Sequence, residues 1–358
     1  MDRIVDYAPL TDEVTHEQLQ EFKREAKASG AAWASISIGQ GLALAFVTAF
    51  VAVFILAFAS LFAKFGLENL ADNPGNPIAL FFVGFPIFVG LLLVVSFIAL
   101  LVRNLRGTVW NERLRLSRFA AANGFRFSPI DKDPAYPGAI FGQGSARQVS
   151  NHLTSAGERF LDIGNYTYTT GSGKNRQTHR WGFMALHLDR RLPHMVLDAR
   201  ANNGLFGMTN LPATFSRDQR LSLEGDFDKH FTLYAPREYE TDALYVFAPD
   251  LMALLIDNAA PYDVEIVDDW MFVYSARPFA LTDPAIVQRL LRIVDTVGAK
   301  TLAQTDRYVD DRVGEFTVNR VAQPGQRLRR GFPVVTVIVV AVVVVFWGLP
   351  RLLDMLQY

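Results

Sequence analysis

The stretch "APDLMALLIDNAAPYDVEIVDDWMFVYS" (Ala248–Ser275) carries the clearest fold signal in the sequence. Its first half begins with Pro249-Asp250, which is typical of a helix start, and apolar residues such as Leu251 and Leu255 follow at helical spacing through Asn258. This half therefore predicts a short amphipathic helix.

The second half of the stretch predicts a β-hairpin. Val264–Val267 and Trp270–Ser275 are interpreted as the two arms of a hairpin that turns at Asp268-Asp269. A helix followed by an antiparallel hairpin is typical of an α+β fold.

Elements of both kinds flank this stretch. A capping box at Thr15–Gln18 predicts a helix near the N-terminus. A second helix is predicted to end at Asn123-Gly124. A third helix is predicted to begin at Asp283-Pro284, with an apolar stripe that runs through Val297. Strands are predicted at Arg159–Thr170, Thr178–Leu188, Met195–Asp198 and His230–Ala235.

The composition excludes several kinds of chemistry. The chain has 358 residues, a formal net charge of −1 and no cysteine. Disulfides, thiol catalysis and cysteine-ligated metal sites are therefore excluded, and no global positive field favours nucleic acid as a partner. No metal or other cofactor is predicted.

Long uncharged segments dominate the two ends of the chain. The segments 34–63, 77–102 and 332–350 hold no charged side chain apart from their flanks, and each is long enough for a helix across a bilayer of about 30 Å. Arginines and lysines flank the N-terminal segment and the region from Arg103 to Arg330, which favours a cytoplasmic side for both. These patterns predict three transmembrane helices and a location in the plasma (inner) membrane.

The predicted fold class is thus a cytoplasmic α+β domain, built from antiparallel hairpins and helices, with three transmembrane α-helices. The predicted organisation is a cytoplasmic segment with a short amphipathic helix (1–33), transmembrane helix 1 (34–63), an external loop (64–76), transmembrane helix 2 (77–102), the α+β domain (103–305), a charged tether (306–331), transmembrane helix 3 (332–350) and an external tail (351–358).

The pattern of "FDKHFTLY", "APDLMALL" and "VEIVDDWMFVYS" resembles that of a bacterial family of uncharacterised integral membrane proteins. Members of that family place two transmembrane helices before a soluble domain of unknown function. The resemblance covers about 50 residues and implies architecture only, because the family has no assigned activity.

The stretch Gly171–Lys174 looks at first like part of a phosphate-binding loop. The required spacing G-x-x-x-x-G-K-[ST] is absent, since Asn175 follows Lys174 and Tyr168 occupies the first glycine position. The glycines are interpreted as turn residues of a hairpin. Basic side chains at its tip and beside the second apolar segment are candidate contacts for an anion or a lipid headgroup: Lys174, Arg176, Arg180, Arg103 and Arg106.

The histidines and acidic pairs offer weaker signals. His187 and His194 are predicted on adjacent strands, where they could meet at a metal together with Asp198, although isolated histidines are the favoured interpretation. The pairs Asp268-Asp269 and Asp310-Asp311 are interpreted as turn residues and tether residues. No serine lies in a G-x-S-x-G elbow.

These observations favour a non-catalytic function. The cytoplasmic domain is predicted to bind, sense or scaffold. The alternatives are an enzyme that acts on a lipid or membrane-associated substrate, and an accessory subunit of a transport system. The predicted partners are anionic lipid headgroups and a protein, which is either unknown or a second copy of this chain.

Overall fold

The computed structural model describes residues 4–30, 108–157, 159–203, 209–314 and 318–331, together with ten residues between 60 and 92. The described chain forms two compact units. One contains Met1–Asp12 and Leu116–Tyr358, and the other contains Glu13–Arg115.

The described helices are α1 (Ala8–Thr11), α2 (His16–Ala28), α3 (Thr108–Asn123), α4 (Phe227–His230), α5 (Glu240–Val246), α6 (Pro249–Ala259), α7 (Pro284–Ile293), α8 (Ala299–Thr305) and α9 (Gln323–Gln326). A π-helical turn at Val294–Gly298 joins α7 to α8. The strands are β1 (Phe125–Lys132), β2 (Ser145–Ser155), β3 (Leu161–Thr170), β4 (Gln177–Ala199), β5 (Arg220–Leu221), β6 (Phe231–Tyr234) and β7 (Asp263–Ser275).

All seven strands belong to one antiparallel sheet, in which β4 is the central element. The strand order is β1-β2-β3-β4-β6-β5, and β7 pairs with β4 outside this path. The 23 residues of β4 pair with β3 along their first part, with β6 at their end, and with β7 through the middle.

Both faces of the sheet are buried, and alternate residues of each strand point to opposite faces. Met184 and Met271 point to a core that α3, α6 and α7 cover with apolar side chains. Phe183 and Phe272 point to a second, aromatic core on the other face. Ile140 and Leu328, from chain segments that have no long helix, belong to this second core.

The local start and stop signals of the predicted helices are confirmed. Thr15 and Gln18 form the capping box of α2, Gly124 follows the end of α3 with a φ of +67°, and Asp283 caps α7 by accepting the backbone N–H of Ala285. The helix predicted after Pro249 is α6.

The predicted hairpin at Asp268-Asp269 is wrong, because β7 is one continuous strand from Asp263 to Ser275 that pairs with β4 along its length. Asp268 has a φ of +54° and lies opposite Leu192, where the register of β4 also shifts. A residue with positive φ serves in a bulge as well as in a turn. The sequence pattern is the same in both cases.

The prediction of three transmembrane helices is corrected for the described part of the chain. Among those residues, no helix combines the length and the apolar character that a bilayer crossing requires. The segments 34–63, 77–102 and 332–350 lie almost wholly outside the described residues. An uncharged run satisfies the length criterion whatever structure it forms, so hydropathy alone did not establish these helices.

The fold class is therefore an α+β fold with a large antiparallel sheet. The assignments that depended on the three helices, namely an integral membrane family and an inner-membrane location with a cytoplasmic domain, lose their basis with them.

Candidate functional site

An open cleft of about 690 Å³ lies at the surface where β4 and β7 shift register. Arg159 and Phe160 reach it from the turn before β3. His187 and Asp189 come from β4, and Trp270 comes from β7, directly opposite His187 in the strand pairing. The cleft therefore joins three elements that are far apart in sequence.

Aromatic rings form the floor of the cleft. The half-buried ring of Trp270 contacts Phe160 edge-on at a centroid distance of 5.5 Å and His187 perpendicularly at 5.0 Å. It also stacks on Phe272 of the aromatic core at 5.9 Å. Such edge-to-face and offset contacts are the favoured geometries of aromatic pairs. The floor is therefore held in place by the core beneath it.

An ion pair borders this aromatic floor. Both terminal nitrogens of Arg159 donate to the carboxylate of Asp189, each over 3.0 Å, and Nη1 also lies 3.3 Å from the carbonyl oxygen of His187. The hydrogen bonds from Arg159 lower the pKa of Asp189. This fork geometry is the one by which arginine binds carboxylates in general.

A second cleft of about 390 Å³ adjoins the first through their shared residue Phe160. Arg126, Ser155, Ala156 and Gly157 complete its lining. Arg126 has no ion-pair partner among the described residues. The two clefts adjoin at Phe160 and are together called the groove, in which aromatic rings and arginine side chains are accessible to a ligand.

A second polar arrangement lies buried on the aromatic face of the sheet, around Glu265. Its carboxylate accepts hydrogen bonds from the backbone N–H of Ala139 (2.8 Å), from the Tyr274 hydroxyl (2.6 Å) and from His194 Nε2 (2.8 Å). Burial and the neighbouring carboxylate raise the pKa of Tyr274 well above its usual range. All donors face inward, so this network joins chain segments and does not form an open site.

His152 lies in another network, at the β1–β2–β3 side of the sheet. Its Nδ1 is 2.9 Å from Asp162 and its Nε2 is 2.7 Å from Asp131, and Asp162 also accepts the Tyr136 hydroxyl. Burial lowers the pKa of His152, but the hydrogen bonds to the two carboxylates outweigh it, so the net pKa is raised. This histidine binds carboxylates on both sides.

The histidines that were considered for a metal do not meet. His187 and His194 lie on the same strand, β4, rather than on adjacent strands. His194 is bonded to Glu265, and His187 lies 3.5 Å from Asp269. In the described part of the chain, no group of three or more His, Asp or Glu side chains is placed to hold a metal ion.

Three of the five basic candidates lie far from the cleft. Lys174, Arg176 and Arg180 are exposed at the β3–β4 hairpin, where Thr170 pairs with Gln177 and Gly171 has a φ of +73°. The cleft adjoins the other end of β3, roughly 30 Å away at about 3.3 Å per strand residue. Arg103 and Arg106 lie outside the described residues.

The cleft residues Phe160 and Trp270 were not recognised as site residues from the sequence. The only signal was an aromatic residue directly after the acidic pair Asp268-Asp269, and the contact between Phe160 and Trp270 joins positions more than 100 residues apart. Their meeting depends on the strand pairing, which local patterns do not specify.

Comparison with known proteins adds little. No protein-family model matches the sequence, and a search of curated proteins finds no match. The proposed resemblance to a family of integral membrane proteins is therefore not supported. The crystal structure of the mycobacterial trehalose monomycolate transport factor A, TtfA, is similar over 52% of this chain and 91% of that chain, with 13% identity and a TM-score of 0.36. This likeness is too low to carry an argument about function.

Proposed function

We propose that the described domain is a non-catalytic binding module, and that the groove around Phe160 and Trp270 receives a short segment of a protein partner. The segment would place an apolar side chain on the aromatic floor and a carboxylate beside Arg159 or Arg126. The observation that carries this proposal is the position of Trp270. Its half-buried ring stacks on Phe272 of the aromatic core, and the ion pair of Arg159 with Asp189 lies at the border of the same cleft.

The residue types of the groove favour a protein partner. Tryptophan and arginine are the side chains that most often dominate the energy of protein–protein interfaces, especially where an aromatic ring lies in a preformed depression. The ring contacts of Trp270 fix its position before binding, so little side-chain entropy is lost when a partner arrives.

The charges at the border favour an acidic partner segment. Arg126 is exposed and unpaired among the described residues, and Arg159 is paired with a carboxylate that is itself 58% exposed. A carboxylate from a partner can therefore bind Arg126 directly or exchange with Asp189 at Arg159.

If the partner belongs to a transport system, the binding module would be an accessory subunit of that system. TtfA is named as a transport factor, and an accessory role in transport is proposed for this chain on the same condition.

The experiment is site-specific photo-crosslinking of the full chain in its native host. Phe160 is replaced by a photoreactive benzoyl-phenylalanine, and Leu244, an exposed apolar residue on α5, receives the same replacement as a control. The expected result is one crosslinked protein at position 160 that is absent at position 244.

Two further variants test whether the groove itself selects the crosslinked protein. In the background of the photoreactive residue, Trp270→Ala and Arg159→Ala are each expected to reduce the crosslinked product about tenfold or more, since hot-spot residues contribute at least 2 kcal/mol. Trp270→Phe should retain part of it. Unchanged crosslinking in Trp270→Ala, with an unchanged melting temperature, would contradict the proposal.

A further inference from the structure

Two buried carboxylates lie side by side where β4 and β7 end their pairing. Val196 pairs with Glu265 and Leu197 pairs with Val264, so Asp198 and Asp263 occupy the next opposite positions and project to the same face. Asp198 is 5% exposed and Asp263 is fully buried. No arginine or lysine forms an ion pair with either carboxylate within the described ranges.

Each carboxylate has one oxygen that is satisfied and one that is not. Asp263 Oδ1 accepts the backbone N–H of Ala199 over 2.8 Å, and Asp198 Oδ2 lies 3.5 Å from Asn203 Nδ2. The remaining oxygens, Asp263 Oδ2 and Asp198 Oδ1, are buried and have no hydrogen-bond partner in the described structure.

Two amide oxygens also lack hydrogen-bond partners in the described structure. Asn202 Oδ1 and Asn203 Oδ1, on the loop that follows β4, are buried and unpartnered among the residues that the structure describes. The side chains of Asn203 and Thr209 donate hydrogen bonds to Asp198, and the side chain of Asn202 donates one to Asp263, so the amide groups of both asparagines lie beside the carboxylates. Four unsatisfied oxygens thus belong to four neighbouring side chains.

All four of these atoms are hydrogen-bond acceptors, so they cannot satisfy one another. A buried acceptor without a partner is destabilising, and a cluster of them in a native protein calls for a bound ion, a proton or ordered water. The protein alone therefore leaves these carboxylates poorly stabilised as anions.

We propose that Asp198, Asp263, Asn202 and Asn203 form a binding site for a hard divalent cation, of the Ca²⁺ or Mg²⁺ type. The donor set consists of carboxylate and amide oxygens only, which is the set that these cations prefer. Four protein oxygens leave coordination positions for water. A cation would satisfy all four orphan oxygens at once and would fix the loop after β4 to the end of β7.

The two cations place different demands on the site. Mg²⁺ requires a near-octahedral shell and retains several waters, whereas Ca²⁺ accepts six to eight oxygens in a flexible arrangement. Separate titrations with Mg²⁺ and with Ca²⁺ therefore identify which of the two cations binds.

The experiment measures the melting temperature of the full chain at pH 7.5, after treatment with EDTA and with Ca²⁺ or Mg²⁺ added. A cation at a hundredfold excess over its Kd is expected to raise the melting temperature by roughly 5–10 °C. Asp263→Asn should abolish this response. Asp257→Asn, which removes an exposed carboxylate on α6, should leave it unchanged.

A second variant and a second readout distinguish loss of cation binding from misfolding of Asp263→Asn. Asn203→Ala removes a half-exposed loop side chain and should weaken binding at least about tenfold, since even loss of an indirect metal contact costs 10–100-fold. Tb³⁺ luminescence, sensitised by nearby aromatic residues such as Tyr234, should saturate in the unmodified chain and fall when Ca²⁺ is added. Tyr234 lies opposite Val196, two residues from Asp198, in the pairing of β4 with β6.

Two results would overturn the proposal. One is the absence of a melting shift with either cation together with no saturable Tb³⁺ signal. The other is an Asp263→Asn variant that melts at a higher temperature than the unmodified chain while neither responds to cations, which would assign a shared proton to the carboxylate pair.

Discussion

His194 donates its Nε2 proton to Glu265 over 2.8 Å while its Nδ1 accepts the backbone N–H of Leu328 over 3.1 Å. The backbone N–H can only donate, so Nδ1 carries no proton and the tautomer of the ring is fixed. The segment 318–331 is thereby attached to the sheet through a side chain of β4, and Leu328 enters the aromatic core beside it.

Replacement of His194 by alanine should destabilise the protein and release this segment. The backbone N–H of Leu328 would lose its acceptor and Glu265 one of its three donors, at a cost of about 1–3 kcal/mol in the free energy of unfolding. Urea unfolding measures the loss, and faster tryptic cleavage after Arg327 reports the release. His16→Ala, an exposed histidine on α2, is the control. Equal stability of the two variants would contradict the proposed attachment.

Asp310 should contribute stability that depends on pH. Burial raises its pKa, but hydrogen bonds from the Tyr239 hydroxyl and from the backbone N–H groups of Ala322 and Arg312 outweigh it, so the pKa lies below 3.8. The stabilisation is complete above pH 3.8 and is lost as the pH falls through the lower value of the folded state.

Accordingly, Asp310→Asn should cost about 1–3 kcal/mol at pH 7, and the difference from the unmodified chain should shrink below pH 3.8. Urea unfolding at pH 7, 5 and 3 tests this. The adjacent exposed Asp311→Asn should have little effect at any of these values. A constant cost of Asp310→Asn from pH 7 to pH 3 would show that its charge is not the cause.

His152 should titrate above its usual pKa of 6.5, because its hydrogen bonds to Asp162 and Asp131 outweigh its burial. The stability gained from the charged ring is complete below pH 6.5 and is lost as the pH rises through the raised value. An NMR titration of the histidine rings measures this pKa. Asp131→Asn should lower it, whereas Asp133→Asn, two residues away and paired with Arg147, should not. A His152 that titrates below 6.5 would contradict the network.

Gly164 should not tolerate a side chain. A Cβ at this position would lie 2.5 Å from Cβ of His152, on the neighbouring strand β2, and 3.1 Å from the ring of Phe183. Gly164→Ala should therefore cost about 1–3 kcal/mol through overpacking. Gly142→Ala is the matched control, because no atom lies within 4 Å of its added Cβ. Differential scanning calorimetry of both variants should show a lower melting temperature for Gly164→Ala alone.

The basic tip of the β3–β4 hairpin should be dispensable for folding. Lys174, Arg176 and Arg180 are exposed, so their joint replacement by alanine should change the free energy of unfolding by less than about 0.5 kcal/mol per site. Their contact with an anion stays a prediction. A triple variant that unfolds would show that these side chains support the turn.

Local chemistry in the sequence was sufficient to predict the helices α6 and α7 and the turn at Gly171. Proline at a helix start, an aspartate cap and a glycine with positive φ act within a few residues, so each can be recognised without knowing the partner elements. Positions that need a partner were misjudged. Asp268 has the conformation of a turn residue, yet only the pairing with β4 shows that it is a bulge.

The candidate sites depend almost entirely on pairing across long sequence distances. Trp270 meets His187 and Asp263 lies beside Asp198 because β4 and β7 pair over most of their length. Hydropathy alone was also insufficient. An uncharged run does not by itself establish a membrane-length helix, and the described residues contain no such helix.

The length of β4 restricts how this protein can change over evolutionary time. His187 and Asp189 of the groove and Asp198 of the carboxylate pair are carried on one strand, on either side of two register shifts. Because side chains alternate between faces, loss of one residue between Asp189 and Asp198 would turn Asp198 toward the helix-covered face and away from Asp263. Related sequences that conserve both sites should therefore keep the number of residues in this interval constant.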